Sequence, residues 1–214
     1  RLRVMAEAAA IELVPVDTNP VDAVWHDQPA PPMGRITAFP QQFAGRSATD
    51  KISALQAEML EATVDLMVET QPDNIAWLLN VRGNDVAFNP IPHSFLLVEQ
   101  TGGVTWFVNT AKFEAGLAES LPNSVTVKSQ PEFLATLAAK AQAASTVWID
   151  PEASPTAVLL TLQNAAATPL RRPSAVTKAK AVKNAAELSG MRASHRDAGL
   201  AMTRFSDWLH RGAP

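Results

Sequence analysis

Short apolar runs and segments of helical periodicity alternate through the middle of the chain. Strands are predicted at residues 65–70, 94–99, 104–109, 124–128 and 146–150, and helices at residues 47–62, 73–80, 111–121, 131–144 and 154–165. Gly102 and Gly103 lie between the second and third strands, as expected of a hairpin turn. Because strands alternate with helices, the pattern indicates an α/β layered domain with a partly antiparallel hairpin.

The two flanks of this domain have different patterns. Residues 14–40 contain six prolines, which predict an extended linker without a regular helix or central strand, with Trp25 as an anchoring side chain. Near the other end, Asn184 and Glu187 have the spacing of a capping box. The apolar positions after it recur at steps of three and four and predict one face of a helix of about 25 residues. These positions are Leu188, Met191, His195, Ala198, Met202, Phe205 and Leu209.

The two ends of the sequence predict that it is an excerpt from a longer polypeptide. Residues 1–14 have the pattern of the last turns of a helix. The long final helix finds no partner for its apolar face in the remaining sequence. The alternative is a complete domain with an unusual outline.

The composition predicts a folded, soluble and cytoplasmic protein. Of the 214 residues, 47% are hydrophobic and 18% are charged, which supplies a packed core and argues against disorder. The formal net charge of −3 argues against a nucleic-acid partner. The chain has no cysteine, no signal-peptide pattern and no apolar run of the roughly 20 residues that a membrane helix needs. We therefore expect no membrane partner either.

Motifs of hydrolytic or nucleotide chemistry are absent from the sequence. The histidines are His26, His93, His195 and His210, and no HxxxH or HExxH spacing relates them. His195 falls on the apolar stripe of the final helix and is predicted to be a packed side chain. No GxSxG, GxGxxG or GxxxxGKS/T motif is found. The sequence therefore predicts no catalytic and no metal-binding residue.

One segment, residues 80–85, combines residue types that suit ligand binding. Arg82 and Gly83 follow the predicted helix, and a loop there can present a guanidinium fork to a carboxylate. The alternative is that Gly83 stops the helix and that Arg82 pairs with Asp85 or another local acid. The residues alone leave both interpretations open.

The same segment belongs to a longer pattern. From Asp73 to Pro90, DNIAWLLNVRGNDVAFNP resembles the signature D-x-I/V-A-W-L-x-N-x-R-G-x-D-x-x-x-N-P of the three-domain Xaa-Pro aminopeptidases, the aminopeptidase P family. Residues 19–25 and the prolines after them resemble the linker between that family's first two domains. Residues 43–52 resemble the start of the second domain, and residues 183–197 resemble the first helix of the catalytic domain. The resemblance follows the family's order along nearly the whole chain.

The resemblance implies a fold and a division into domains. The fold is a creatinase/prolidase N-terminal-like α/β fold, a mixed sheet flanked by helices, with a Pro-rich N-terminal linker and a long C-terminal helix. Residues 1–14 would end a preceding domain, residues 15–43 would form the linker, and residues 44–175 the second domain. Residues 176–214 would begin the catalytic "pita-bread" domain, which is truncated here.

The resemblance also implies the activity of a longer enzyme. In the family, the third domain binds two divalent metals, usually Mn²⁺, and a metal-bound hydroxide cleaves the bond between an N-terminal residue and a following proline. None of those ligands falls in this sequence, so the fragment alone is expected to be inactive. The implied partners are a peptide with proline in second position and the missing catalytic domain. The resemblance is compatible with a homodimer of the full-length protein.

By analogy with related enzymes, this portion is expected to gate or line the substrate cleft. Arg82 is predicted to hold a substrate carboxylate, and Asp85 to orient Arg82 or to meet the substrate's amino end. Trp77, Phe88 and His93 are weaker candidates for substrate contact.

Two other classes of function stay open at this point. A pita-bread relative without catalysis would bind peptides or proteins, and the metal ligands would be missing downstream. A stand-alone α/β domain would act in assembly, and its final helix would pack on its own core.

Overall fold

The computed structural model describes residues 2–14, 16 and 18–212. The chain divides into two compact units, with the boundary between Pro32 and Met33. Of the features discussed above, Arg1, Pro15 and Pro214 lie outside the described residues.

The first unit contains the short helices α1 (Leu2–Ala8) and α2 (Pro20–Val24). The helical pattern predicted for residues 1–14 is confirmed only as far as the end of α1, and Ala10 then takes a left-handed conformation with φ 56°. The presence of α2 corrects the prediction that the proline-rich stretch contains no helix. Asn19 caps this helix by accepting the N–H of Val21 over 3.1 Å, and Pro20 lies at its start, where no N–H is needed.

The second unit is built on a mixed six-stranded sheet. The described strands of the second unit, in both of its sheets, are β1 (Ile36–Ala38), β2 (Leu66–Glu69), β3 (Val81–Gly83), β4 (Phe95–Glu99), β5 (Val104–Phe107), β6 (Val125–Lys128), β7 (Thr146–Ile149) and β8 (Thr168–Arg171). The large sheet has the order β6-β5-β4-β2-β7-β8, whereas β1 and β3 form a separate antiparallel pair. β4 is antiparallel to β2 and β5, and the other neighbours are parallel. The predicted α/β class with an antiparallel hairpin is therefore confirmed.

Helices cover both faces of this sheet. The helices of this unit are α3 (Gln41–Ala44), α4 (Ala48–Glu61), α5 (Pro72–Leu79), α6 (Leu117–Ser120), α7 (Phe133–Ala143), α8 (Thr156–Asn164), α9 (Ala175–Ala181) and α10 (Ala185–His210). Along β2, Met67 faces a core that it shares with α4 and α5. Leu66 and Val68 face a second core, shared with α7 and α8. Because side chains alternate across a strand, the central strands are buried on both sides.

The helix predicted over residues 111–121 is wrong. A 3-10 turn at Thr110–Lys112 and the short helix α6 are separated by Gly116, whose φ of 82° lies outside the helical region. Between them, the ring of Phe113 stacks on Trp106 in the core at a centroid distance of 5.4 Å. This tertiary contact outweighs the local helical pattern.

Three of the described strands, β1, β3 and β8, lie where the sequence pattern predicts none. β8 contains Pro169, and it forms the edge of the sheet, where a missing N–H is tolerated. β1 lies within residues 15–43, which the sequence predicts to be a linker, yet its Ile36 is fully buried. β1 pairs with β3 and thereby sets Thr37 opposite Arg82.

The long final helix is confirmed as α10, with Asn184 and Glu187 as its capping box. At 1.5 Å per residue, its 26 residues extend over about 39 Å. None of its residues is buried, and its apolar stripe, including Met202, Phe205 and Leu209, is exposed. In the part of the chain that the structure describes, no helix is apolar over a length sufficient to cross a bilayer.

Candidate functional site

A groove of about 1110 Å³ separates the first turns of α10 from the surface formed by α3, α4, α5 and β3. We name it the Arg82 groove. Its aromatic and charged lining residues are Phe39, Phe43, Lys51, Trp77, Arg82, Lys183, Glu187 and His195. It is larger than a second groove of about 760 Å³ beside α7. Two of the five predicted site residues, Trp77 and Arg82, line the Arg82 groove.

The chain reversal after α5 places Arg82 in this groove. Asn80, with a left-handed φ of 53°, ends α5, so that Val81–Gly83 forms a strand rather than the predicted loop. The alternative interpretation, in which Gly83 stops the helix, is therefore wrong on this point. Gly83 is needed for a different reason, because a Cβ there would lie 2.6 Å from the backbone nitrogen of Pro92.

The Arg82 side chain is half-buried and held in place by three contacts. Its Nη1 donates to the carbonyl oxygens of Val81 over 2.8 Å and Ala76 over 3.3 Å, and its guanidinium lies 3.8 Å from the centre of the Phe39 ring. Among the described residues, these hydrogen bonds use one of the three guanidinium nitrogens. Burial lowers the pKa of Arg82, and Glu187 partly offsets that effect. The groove thus presents an ordered cation whose remaining N–H groups suit a carboxylate.

A second cation, Lys51, lies beneath the groove. It is only 3% exposed, and its Nζ donates to the carbonyl oxygen of Trp77 over 2.8 Å and to Oδ1 of Asn80 over 2.7 Å. The same atom lies 4.1 Å from the centre of the Trp77 ring, within range of a cation–π contact. Burial lowers the pKa of Lys51 to about 8, although the charge of Glu187 acts in the opposite direction.

The lowered pKa of Lys51 predicts a specific dependence of stability on pH. Between about pH 8 and its ordinary pKa of 10.5, Lys51 is neutral in the folded chain and charged in the unfolded one. The unfolded state then binds one more proton, so stability rises with pH by up to about 1.4 kcal/mol per pH unit. Urea unfolding should show this rise in the parent chain relative to Lys51→Met, and an unchanged difference from pH 7 to 10 would contradict it.

The charges that line the groove favour an anionic ligand. Lys51, Arg82 and Lys183 face a single acidic lining residue, Glu187. Glu187 is itself engaged, since its Oε1 accepts the indole N–H of Trp77 over 2.7 Å. The cationic side of the groove is therefore only partly neutralised by the protein.

Asp85, the second predicted substrate residue, lies outside the groove. Its side chain is fully buried and forms an ion pair with Nζ of Lys112 over 2.8 Å. It also accepts the backbone N–H groups of Gly34 over 3.0 Å and His93 over 2.7 Å. Burial raises the pKa of Asp85, but these hydrogen bonds outweigh burial and hold the pKa below its ordinary value. The ionic partner of Asp85 is Lys112. This corrects the expectation that Asp85 pairs with Arg82.

The two weaker candidates Phe88 and His93 also lie away from the groove lining. Phe88 is fully exposed in the turn between Val86 and Asn89, with a left-handed φ of 63°. The His93 backbone donates to Asp85, and its carbonyl oxygen accepts Nε2 of Gln130 over 2.8 Å. Contact of any of the five predicted residues with substrate stays a prediction.

Sequence reasoning missed Lys51, Glu187 and His195 as groove residues. A signal for Lys51 was available, because it shares the buried face of α4 with Ile52 and Leu55. Glu187 was assigned to its capping box alone. His195 is exposed toward the groove rather than packed, so that prediction is wrong.

The part of the chain that the structure describes offers no ligand set for a metal. No three His, Asp or Glu side chains within residues 2–14, 16 and 18–212 come close enough to hold an ion. The two divalent metals implied by the resemblance therefore do not fit any described cluster.

The mixed six-stranded sheet, helix-covered on both faces, defines an α/β domain of the creatinase/prolidase N-terminal type. The sequence profile of the Creatinase/Prolidase N-terminal domain matches residues 27–187, and the chain belongs to this family. This finding confirms the predicted fold class and the family resemblance.

Similar proteins extend the comparison. A probable Xaa-Pro aminopeptidase P of Aspergillus flavus is 34% identical over 209 residues, which cover 92% of this chain and 31% of the relative. Xaa-Pro aminopeptidase 1 of Dictyostelium discoideum is 30% identical over 183 residues, which cover 85% of this chain and 28% of the relative. The chain also superposes on the crystal structure of X-prolyl aminopeptidase from Caenorhabditis elegans, which is described as a cytosolic enzyme with a di-nuclear active site. The TM-score is 0.87 at 26% identity, and the match covers 97% of this chain and 34% of the other. The chain thus spans about a third of the length of these proteins.

Proposed function

We propose that this chain is the non-catalytic, cleft-lining part of a metal-dependent Xaa-Pro aminopeptidase. The observation that carries the proposal is the half-buried guanidinium of Arg82, ordered at a groove whose charged lining residues are mostly cationic. Similarity to Xaa-Pro aminopeptidases over most of the chain supports the reaction class. The proposed substrate is a short peptide with proline in second position.

The proposed roles follow from the contacts of each residue. Arg82 binds the carboxylate end of the peptide, and Phe39 and Trp77 provide apolar surface beside it. Asp85 is assigned a structural role in place of substrate contact, because its buried carboxylate is already bonded to three donors. Phe88 and His93 stay weaker candidates for substrate contact, although neither lines the groove.

The proposed domain arrangement follows the one expected from the sequence, with β1 added to the second domain because Ile36 lies in its core. Residues 44–175 are the rest of the second domain of the enzyme, and residues 176–214 begin the catalytic domain. The exposed apolar stripe of α10 supports this arrangement, since such a face requires a packing partner. The following domain would supply the ligands for two divalent metals, with Mn²⁺ proposed as their identity. A cytoplasmic location and a homodimer of the longer protein are also proposed.

The stand-alone alternative is less well supported. A stand-alone domain was expected to pack its final helix on its own core, whereas no residue of α10 is buried. An inactive relative that binds peptides would use the same Arg82 groove and would differ only in the following domain.

The test is peptide hydrolysis by the longer protein, with this chain assayed alone beside it. Release of the first residue from Xaa-Pro peptides is expected from the longer protein with added Mn²⁺ and not from this chain. Release by this chain alone would contradict its assignment as non-catalytic. An inactive longer protein that still binds the peptide would support the inactive relative instead.

A further inference from the structure

The position of α10 depends on its first turns. The helix extends over about 39 Å, yet it has no buried residue. Its residues that line the Arg82 groove end at His195, and the element it packs against most closely is the short helix α3. A tilt of about 10° at the start of α10 would move its far end by about 7 Å, given 1.5 Å of rise per residue.

The capping box of α10 also bonds the helix to the domain. Within the box, Oδ1 of Asn184 accepts the N–H of Glu187 over 3.0 Å, and Oε2 of Glu187 accepts the N–H of Asn184 over 2.9 Å. The remaining polar atoms of the two side chains bind outside the box. Nδ2 of Asn184 donates to the carbonyl oxygen of Ala44 over 2.8 Å, and Oε1 of Glu187 accepts the indole N–H of Trp77 over 2.7 Å. Both cap residues therefore hold the helix end and the domain together.

The groups that receive these bonds are themselves held in place. Gly45, which follows Ala44, has a φ of 72°, and a Cβ there would lie 2.2 Å from Oδ1 of Asn184. On the other side, Lys51 binds the backbone of Trp77 and lies over its ring. We name the two hydrogen bonds from Asn184 to Ala44 and from Trp77 to Glu187 the joint. The joint connects the ordered turn at Gly45 and the ordered indole of Trp77 to the first turn of α10.

The identity of residue 187 carries further information. Glutamine closes a capping box as well as glutamate does. Only a carboxylate provides a second acceptor, however, and the second acceptor is the atom that Trp77 uses. Glutamate at this position is therefore explained by the contact with Trp77 and not by capping alone.

We infer that Trp77 and Glu187 are positioning residues that fix α10 against the domain and set the width of the Arg82 groove. The hydrogen bond between them joins residues 110 positions apart, and both residues line the groove. The inference goes beyond the proposed function, because it requires no ligand and no hydrolysis. Its success or failure is therefore separate from that of the proposed function.

The experiment uses the absence of cysteine in this chain, which allows two spin labels to be placed without a competing thiol. Cysteines replace the exposed residues Ala139 on α7 and Ser206 on α10, and pulsed electron paramagnetic resonance measures the distance between the labels. The parent chain should give one narrow distribution. Glu187→Gln and Trp77→Phe should each broaden it and shift its mean by several ångströms, as expected for a tilt of about 10°.

Two controls separate loss of the hydrogen bond between Trp77 and Glu187 from other effects of the substitutions. Asp197→Asn removes one acidic charge from the same helix and should leave the distribution unchanged. The double variant Glu187→Gln/Trp77→Phe should be no broader than either single variant, because both remove the same bond. A narrow parent-like distribution in both single variants would overturn the inference. Broadening in Glu187→Gln alone, with loss of helix content by circular dichroism, would assign the effect to capping and would also overturn it.

Discussion

The Asp85→Asn variant is expected to lose about 3–5 kcal/mol of unfolding free energy, the cost of breaking a buried ion pair. The Asp85 side chain is fully buried, and its partner Lys112 has a side chain only 4% exposed. Asparagine at position 85 is neutral and cannot balance the ammonium charge of Lys112. Its amide nitrogen also stands where a carboxylate oxygen accepted the backbone N–H of Gly34 or His93, so one of these buried donors loses its acceptor. Urea unfolding followed by circular dichroism measures the loss.

A matched control is available in the same chain. Asp73 pairs with Lys180, but its side chain is 49% exposed, so Asp73→Asn should cost less than about 1 kcal/mol. Both substitutions remove one carboxylate and keep the shape of the side chain. If Asp85→Asn costs no more than Asp73→Asn, the structural role assigned to Asp85 is wrong.

In the longer protein, Arg82→Ala is expected to lower kcat/KM for a short peptide acid by about tenfold to a hundredfold. This range corresponds to the roughly 1.5–3 kcal/mol of a hydrogen bond to a charged group. The loss should fall mainly on KM, because the carboxylate is bound equally in the ground state and the transition state. Initial rates over a range of peptide concentrations separate the two constants.

The same peptide with an amidated C-terminus provides the control. It lacks the carboxylate, so Arg82→Ala should change its kcat/KM little. Arg82→Lys keeps the charge but loses the planar fork, and its effect on the peptide acid should be intermediate. Equal losses for the acid and the amide would show that Arg82 supports the shape of the groove and does not bind the carboxylate.

The elements set by local signals were predicted well from the sequence. The helix α4, the cap at Asn184, the hairpin at Gly102 and Gly103, and the stripe of α10 all depend on residues within a few positions of one another. The error over residues 111–121 lies where a tertiary contact decides the conformation. Phe113 lies outside any helix because its ring packs on Trp106.

The candidate site was harder to predict for the same physical reason. Arg82 was found from its residue type and position and Trp77 through the family signature, but their partners come from elsewhere in the chain. Glu187 lies 110 positions from Trp77, and Lys112 lies 27 positions from Asp85. No local periodicity connects such pairs, so the sequence did not predict which cation neutralises Asp85.

The central claim, that this chain belongs to an enzyme acting on Xaa-Pro bonds, is tested most directly by a competition assay on the longer protein. Two tripeptides that differ only by proline or alanine in second position are mixed, and mass spectrometry follows the loss of the first residue from each. We expect the proline peptide to be shortened and the alanine peptide to stay intact. Equal shortening of both peptides, or of neither, would contradict the claim.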